Sequence, residues 1–526
     1  MARSRSFQLA DLFEIVAAEV PERLAIVAGD ARRTYGELDD RSTRLAHALE
    51  DRGVGPGMHV AIIAWNRVEW IEAMFACWKL AAVPINVNYR YVGAEIEYML
   101  DNSDSTFVVC EPEFEAVLDE VGSAQPRLVI GPVFEAAIAT ASDDPMSLPP
   151  RSSDDRYLLY TGGTTGLPKG VEWRHEDIFF AALGGGGFGQ PPITTPEQLA
   201  ERVQPEATRT VNVCNAPMMH GGGQWVTCIG LFGGGTIVLN TEHHFDAHWV
   251  WRTAVAEGAN SIMVVGDAMA RPLLEAFAAG GPDGPYDGSG IFVVGSGGGI
   301  LSRHVKDRLR SMLPNAMVMD SFGASETGAG GAVMDLDGPA AGPRFSMGPF
   351  MSVLDDDLRP VAAGSGATGR LARSGHIPLG YYKDPDKTAA TFVVDGDGRR
   401  WVVPGDHATV EADGTITLFG RGSGCINTGG EKVYPEEVEE AIKAHPAVYD
   451  CVVVGVPDDR FVERVAALVS LRPEAQAPSL EALQVHCRTT LAGYKIPREL
   501  RVLDHIERTP VGKPDYRWAK RIATES

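Results

Sequence analysis

The chain predicts a layered α/β fold in two unequal parts: a large multi-layered N-terminal domain with mixed or parallel sheets, and a smaller, mobile α+β C-terminal domain. Three observations predict it. Strand-like and helix-like segments alternate from the start, glycine runs punctuate the middle, and the texture changes after Gly420-Arg421. Repeated β-then-α segments bury the faces of a largely parallel sheet under helices, and 526 residues exceed what one ordinary core organises.

The elements follow in order. Thr34-Tyr35-Gly36-Glu37-Leu38 opens a helix carrying Leu38, Leu45 and Leu49 on roughly one face. Gly55-Pro56-Gly57 breaks it, and Val60-Ala61-Ile62-Ile63 reads as a buried strand. A helix over Ile71 to Leu80 precedes the extended Val83-Pro84-Ile85-Asn86-Val87. The polar stretch between Gln190 and Arg209 reads as a surface excursion. Past Arg421, Pro435 starts a helix over Glu436 to Ala444, Cys451 to Val456 and Val465 to Leu471 are strands, and Ser479 caps a helix through Leu491. The division is expected after residue 421, giving units 1–421 and 422–526, with Gly422-Ser423-Gly424 as a flexible hinge.

Composition narrows the function. An apolar share of 44% with 22% charged residues is that of a globular chain. A net charge of -23 argues against a nucleic-acid-binding surface, whose affinity comes from Lys and Arg neutralising phosphates. Small anions remain admissible, because a few local cations or backbone N–H groups suffice for them. Seven scattered cysteines without a C-x-x-C pair suit reduced thiols, and the N-terminus lacks the apolar core of a signal peptide. With no long apolar run, the expectation is a cytoplasmic protein without a transmembrane segment. His243, His244 and His248 lie close in sequence but lack further ligands, and Asp246 reads as a helix N-cap.

The strongest local signal is Tyr160-Thr161-Gly162-Gly163-Thr164-Thr165-Gly166-Leu167-Pro168-Lys169-Gly170, preceded by the strand-like Tyr157-Leu158-Leu159. Glycines let backbone N–H groups approach an anion, threonine hydroxyls donate to phosphate oxygens, and Lys169 adds a point charge. It is not a Walker A loop, because Pro168 precedes the lysine and Gly170 follows it.

This loop resembles the phosphate-binding signature of the adenylate-forming superfamily, which includes acyl-CoA synthetases, peptide-synthetase adenylation domains and beetle luciferases. Further matches fall in the family's order over nearly the whole chain. Ala216-Pro217-Met218-Met219-His220-Gly221 resembles the segment whose histidine gates the carboxylate site. Val294-Gly295-Ser296-Gly297-Gly298-Gly299 is similar to one wall of the acyl and adenine pocket. Asp320-Ser321-Phe322-Gly323-Ala324-Ser325-Glu326-Thr327 resembles the segment that lays an aromatic on adenine, a hydroxyl on phosphate and a glutamate on magnesium, with Phe322 in place of the usual tyrosine. Trp401-Val402-Val403-Pro404-Gly405-Asp406 is similar to the segment whose aspartate holds the ribose hydroxyls.

The segment Gly420 to Glu431 resembles the family's hinge and CoA-facing loop, but Ser423 stands where Asp or Lys is usual and Gly424 where Asp is frequent. Arg421 is implied to contact ribose or phosphate, and Gly429 and Gly430 to face the pantetheine arm. Arg508-Thr509-Pro510-Val511-Gly512-Lys513-Pro514 resembles the loop that delivers the adenylation lysine. The resemblance thus implies catalytic roles for Lys513, His220 and Glu326. It implies nucleotide or CoA contacts for Thr161, Gly162, Gly163, Thr164, Thr165, Lys169, Gly297, Gly298, Asp320, Phe322, Gly323, Ala324, Ser325, Asp406, Arg421, Gly429 and Gly430, with Thr165 and Glu326 as Mg²⁺ ligands.

The implied reaction uses ATP, Mg²⁺ and CoA to convert a carboxylic acid into its CoA thioester through acyl-AMP. Gly221 to Gly223, Gly297 to Gly299 and Gly328-Ala329-Gly330-Gly331 fall where the family lines its acyl pocket, which favours a bulky apolar acid over acetate. The run Gly170-Val171-Glu172-Trp173-Arg174-His175-Glu176-Asp177 resembles actinobacterial fatty-acyl and sterol side-chain ligases. Two alternatives stay open: an enzyme loading a carrier-protein thiol, and a non-catalytic nucleotide-binding homologue. A homodimer is neither required nor excluded.

Overall fold

A computed structural model describes the chain apart from residues 1–4, 147–150, 163–166, 187–190, 205–208, 283, 300, 335–343, 422–425, 429–430, 459–461, 492, 509–513 and 526. At 334, 420, 421, 427, 431, 432 and 462 it describes the backbone alone. Two large sheets and one small one organise these residues. The first has 15 strands. Its core is a parallel run in which Leu24–Ala28, Thr236–Leu239, Val211–Cys214, Ser261–Val264, Val293–Gly297 and Met317–Ala324 lie side by side. Beyond Met317–Ala324 the pairing turns antiparallel, through Gly328–Met334 and Arg344–Met347 to Ile416–Arg421.

The second sheet has seven strands. Arg127–Val129, Ser105–Cys110, His59–Ile63, Val83–Asn86 and Arg156–Thr161 run parallel, and Lys169–Arg174 and Gly380–Tyr381 close the edge antiparallel. The main core packs helices Leu9–Glu19, Tyr35–Glu50, Val68–Lys79 and Gly221–Phe232 with residues of both sheets, around the fully buried Trp70, Trp78, Phe75 and Phe13. The five-stranded C-terminal sheet takes Ile426–Thr428, Val448–Asp458 and Val462–Leu471 and carries its own core. Ile416–Arg421 belongs to the large sheet and Ile426–Thr428 to the small one, while the hinge residues 422–424 lie outside the described residues.

Local chemistry explains the element ends. Thr34 accepts from the Glu37 N–H while the Glu37 carboxylate accepts from the Thr34 N–H, a capping box that starts helix Tyr35–Glu50. Two expectations need correction. The helix capped by Ser479 spans Leu480–Cys487 and stops short of Leu491. The stretch after Gln190 is not a free excursion: Ile193, Leu199 and Val203 are buried in the main core, and Gln198–Arg202 is a short helix. Three apolar residues among polar neighbours were enough to anchor it.

Charged groups brace the N-terminal helices. Lys79, almost fully buried, pairs with Glu14 at 3.0 Å and Asp39 at 2.7 Å, and Arg151 grips Glu14 at 2.7 Å. Burial raises the pKa of Glu14, but Lys79 and Arg151 outweigh it and hold the carboxyl at about 2, below its ordinary 4.5. A depressed carboxylate pKa stabilises the fold above the unfolded value, and that stabilisation is lost as pH falls from about 4.5 towards 2. Glu14→Gln is therefore expected to remove about 3 kcal/mol at neutral pH and much less near pH 2. Urea midpoints of the two proteins across that pH range check this, and an unchanged gap between them would refute it.

Candidate active site

The parallel strands of both large sheets deliver the motif segments at their carboxyl ends, where open α/β sheets bind ligands. Thr161 ends Arg156–Thr161 and pairs in register with Lys169, which opens the returning strand. Among the described residues nothing lies within 4 Å of the position a Cβ would take at Gly162. Gly163, Thr164 and Thr165 lie outside the described residues.

One buried amide fixes this loop against the next motif. Asn86 Nδ2 donates to the Tyr160 carbonyl at 2.9 Å and the Met219 carbonyl at 2.6 Å, and Asn86 Oδ1 accepts from the Tyr160 N–H at 2.8 Å. Tyr157 Oη donates to Gln224 Oε1 at 2.6 Å, and Gln224 donates back to the Met218 carbonyl at 3.0 Å. His220, half-buried, stands at the N-cap of helix Gly221–Phe232, directly beyond these contacts. Asn86, Tyr157 and Gln224 carried no motif signal. The one hint was a polar residue closing the apolar Val83-Pro84-Ile85.

The third and fourth segments are adjacent strands. Gly297 pairs with Ser321, and Ser321 Oγ donates to the Ser296 carbonyl at 2.7 Å. Gly298 follows with φ +77°, a left-handed conformation that suits glycine. The Phe322 ring packs edge-to-face on Phe345, 5.1 Å between centroids, and lies against the backbone of Gly330 and Gly331. Asp320 is buried and its carboxylate pairs with Lys306 at 2.7 Å; burial pushes its pKa up to about 6 against the pull of that lysine. The turn through Gly323, Ala324 and Ser325 is pinned twice. Thr327 Oγ1 accepts from the Ala324 N–H at 3.0 Å, and the Ser325 carbonyl accepts from Trp173 Nε1 at 3.0 Å.

Glu326 is buried, and its Oε1 accepts from Tyr381 Oη at 2.8 Å. The Tyr381 ring lies 5.7 Å from Lys169 Nζ, which donates to Asp384 at 2.9 Å. That hydrogen bond is the main cause of the lowered pKa of Asp384. A continuous chain of contacts thus joins Glu326, Tyr381, Lys169 and Asp384 from three distant stretches of sequence. Tyr381 and Asp384 were not singled out in the sequence.

Asp406 and Arg421 stand opposite one another in an antiparallel pair, so the residue expected on the ribose and the one expected on ribose or phosphate lie side by side in the large sheet. Arg508 and Pro514, which flank residues 509–513, pair with one another, and Arg508 is held by Asp450 at 2.6 Å. Lys513 itself, Gly429 and Gly430 lie outside the described residues. Of the close histidines, His248 Nδ1 meets Tyr286 Oη at 2.9 Å, His243 stacks on Trp65 at 4.0 Å, and Asp246 caps its helix through the His248 N–H.

The pocket glycines do not all leave room. A Cβ at Gly223 would lie 2.2 Å from the Pro217 carbonyl oxygen, and one at Gly331 2.0 Å from the Ser346 carbonyl oxygen. These two serve close backbone packing, whereas the Cβ position at Gly222 has nothing within 4 Å. Gly331→Ala is expected to cost at least about 1–3 kcal/mol through overpacking, read as a lower urea midpoint; an unchanged midpoint would show that the strands separate freely there.

Comparison with known proteins agrees with this geometry. The family model described as "AMP-binding enzyme" matches residues 13–382, and "AMP-binding enzyme C-terminal domain" matches residues 437–513. A Rhodococcus rhodochrous protein named 3-oxocholest-4-en-26-oate–CoA ligase is 45% identical over 98% of this chain and 96% of its own. A medium/long-chain-fatty-acid–CoA/3-oxocholest-4-en-26-oate–CoA ligase of Mycolicibacterium smegmatis is 44% identical over 99% of this chain and 97% of its own. Among solved structures, the anthranilate CoA ligase AuaEII in complex with anthranoyl-AMP superposes with a TM-score of 0.86 at 22% identity over 99% of this chain and 98% of that one, a likeness of fold. With both family models matched in order and relatives alike over nearly their whole length, the chain belongs to the AMP-binding enzyme family.

Proposed function

We propose that the chain is an ATP-dependent carboxylic acid–CoA ligase that works through an acyl-adenylate, and that its acid is a medium- or long-chain or bulky apolar one, such as a steroid side-chain acid. The observation that carries this is the contact chain from Glu326 through Tyr381 and Lys169 to Asp384, which gathers the phosphate loop and the acidic turn at one end of two sheets. The acid's carboxylate attacks the α-phosphorus of ATP, and pyrophosphate leaves. Lys513 and the N–H groups of the 161–169 loop meet the charge that develops. The CoA thiol then attacks the acyl carbonyl and AMP departs. Arg421 and Asp406 are the groups we assign to the ribose, and His220 to the mouth of the acid pocket.

Glu326 offers a buried carboxylate with one oxygen engaged by Tyr381, a hard donor suited to Mg²⁺. With Thr165 it would hold the ion, which supplies neutralisation of phosphate charge. The proposed division at 421/422 lets the smaller unit turn between the two half-reactions, Lys513 serving the first and Gly429-Gly430 the second.

The acid class draws support from the relatives named for 3-oxocholest-4-en-26-oate and for medium- and long-chain fatty acids. The open space at Gly222, beside the gate, fits it. A reducing compartment fits the six described cysteines, all free and buried. Thioester formation from a panel running from acetate through long-chain acids to a steroid side-chain acid tests the reading, with free CoA and a carrier protein as rival acceptors. The highest kcat/KM is expected for a bulky acid with free CoA. Acetate in first place would overturn the acid class, and turnover with the carrier alone would overturn the acceptor.

A further inference from the structure

Between the two units lies a cleft of about 440 Å³ that the reaction described above does not use. One wall is helix Arg303–Met312, whose His304 and Arg308 stand four residues apart and so share a face. The other is the turn Ala444, His445 and Pro446 with Arg472. The walls are tied together. The Glu440 carboxylate accepts from the Arg303 N–H at 2.9 Å, and the Arg271 guanidinium lies 5.7 Å from the Tyr449 ring centroid.

The charge in this cleft runs against that of the molecule. The chain carries 47 Lys and Arg against 70 Asp and Glu, yet Arg308 and Arg472 form no ion pair among the described residues. Arg271 is already paired with Asp267 at 2.8 Å, and Glu275 acts on Arg472 only through space. Burial and then the field of Arg472, Arg271 and Arg308 hold the His304 pKa below its ordinary value. Like charges so gathered in a strongly acidic protein repel one another, and they are stabilised by an anion that both guanidinium groups can grip.

We propose that this cleft is a second anion site, taking a phosphate or diphosphate group of a small ligand and thereby holding the two units in this arrangement. Such a group accepts from the forks of Arg308 and Arg472, one on each unit, so its binding free energy favours the arrangement that brings them together. Free pyrophosphate and the 3′-phosphate of CoA share this chemistry.

Calorimetric titration of the full chain with pyrophosphate, CoA and 3′-dephospho-CoA tests the site in wild type and Arg308→Gln/Arg472→Gln. The double variant is expected to weaken pyrophosphate or CoA by at least roughly tenfold while acid-dependent ATP–pyrophosphate exchange persists. Weakening of CoA but not of 3′-dephospho-CoA assigns the site to the 3′-phosphate, and weakening of pyrophosphate alone assigns it to the free anion. Ala444→Glu, which keeps both arginines and adds a carboxylate on an exposed rim, is expected to weaken the same ligand. Equal affinities in all three proteins would overturn the proposal. The CoA arm rests on the ligase reading and the pyrophosphate arm does not, so exchange activity and arginine-dependent pyrophosphate binding fail separately.

Discussion

Lys513→Ala is expected to cut acid-dependent ATP–pyrophosphate exchange by about 10²–10³-fold, with AMP affinity nearly unchanged. The reason is electrostatic. Pyrophosphate leaves with charge that the acidic surroundings cannot neutralise, in a molecule of net charge -23, so one cation brought to the departing group acts mainly in the transition state. In the proposed mechanism the second half-reaction does not need that cation. Chemically made acyl-AMP supplied with CoA should therefore yield thioester in the variant at a rate within a few-fold of wild type. Exchange is the measurement to make. Undiminished exchange would remove Lys513 from the first step and pass its charge role to Lys169.

Trp173→Ala carries the largest expected loss of stability, about 3–5 kcal/mol. The ring is fully buried in the main core, and its Nε1–H donates to the Ser325 carbonyl. The substitution removes both the packing and the strut beneath the turn that carries Glu326. Trp173→Phe separates the two, since it keeps an aromatic ring and deletes only the donor. It should cost less stability, roughly 1–2 kcal/mol for the unsatisfied carbonyl and lost volume, yet still lower kcat more than it raises KM. Chemical denaturation and steady-state kinetics on both variants check this. A Phe variant with wild-type kcat would show that the turn holds its own shape.

Much of this was legible in the chain itself. The helix after Thr34, the strands at 60–63, 83–87, 451–456 and 465–471, and the change of texture past Arg421 all follow from period, caps and breakers. Several distinct motifs in a fixed order made the site segments recognisable as a set. Other parts were hidden for physical reasons. Ile193, Leu199 and Val203 are too few and too widely spaced to show a period, although they bury as completely as any helix face. Gly331 looks like any pocket glycine until the Ser346 carbonyl is seen beside it. Tyr381 and Asp384 act on groups more than fifty residues away, and such pairings leave no local pattern for spacing arguments to find.

Asn86 has a wider consequence. Its single side chain satisfies three backbone groups, two at Tyr160 and one at Met219, so the segments we assign to ATP and to the acid keep one separation whatever side chains line either of them. Residues around the gate helix can then be exchanged without retuning the phosphate loop. Diversification of the acid is thereby uncoupled from conservation of the adenylation geometry. On this view Asn86→Asp, which replaces a double donor with an acceptor facing two carbonyls, would impair every acid alike, whereas changes at Gly222 would re-rank acids against one another.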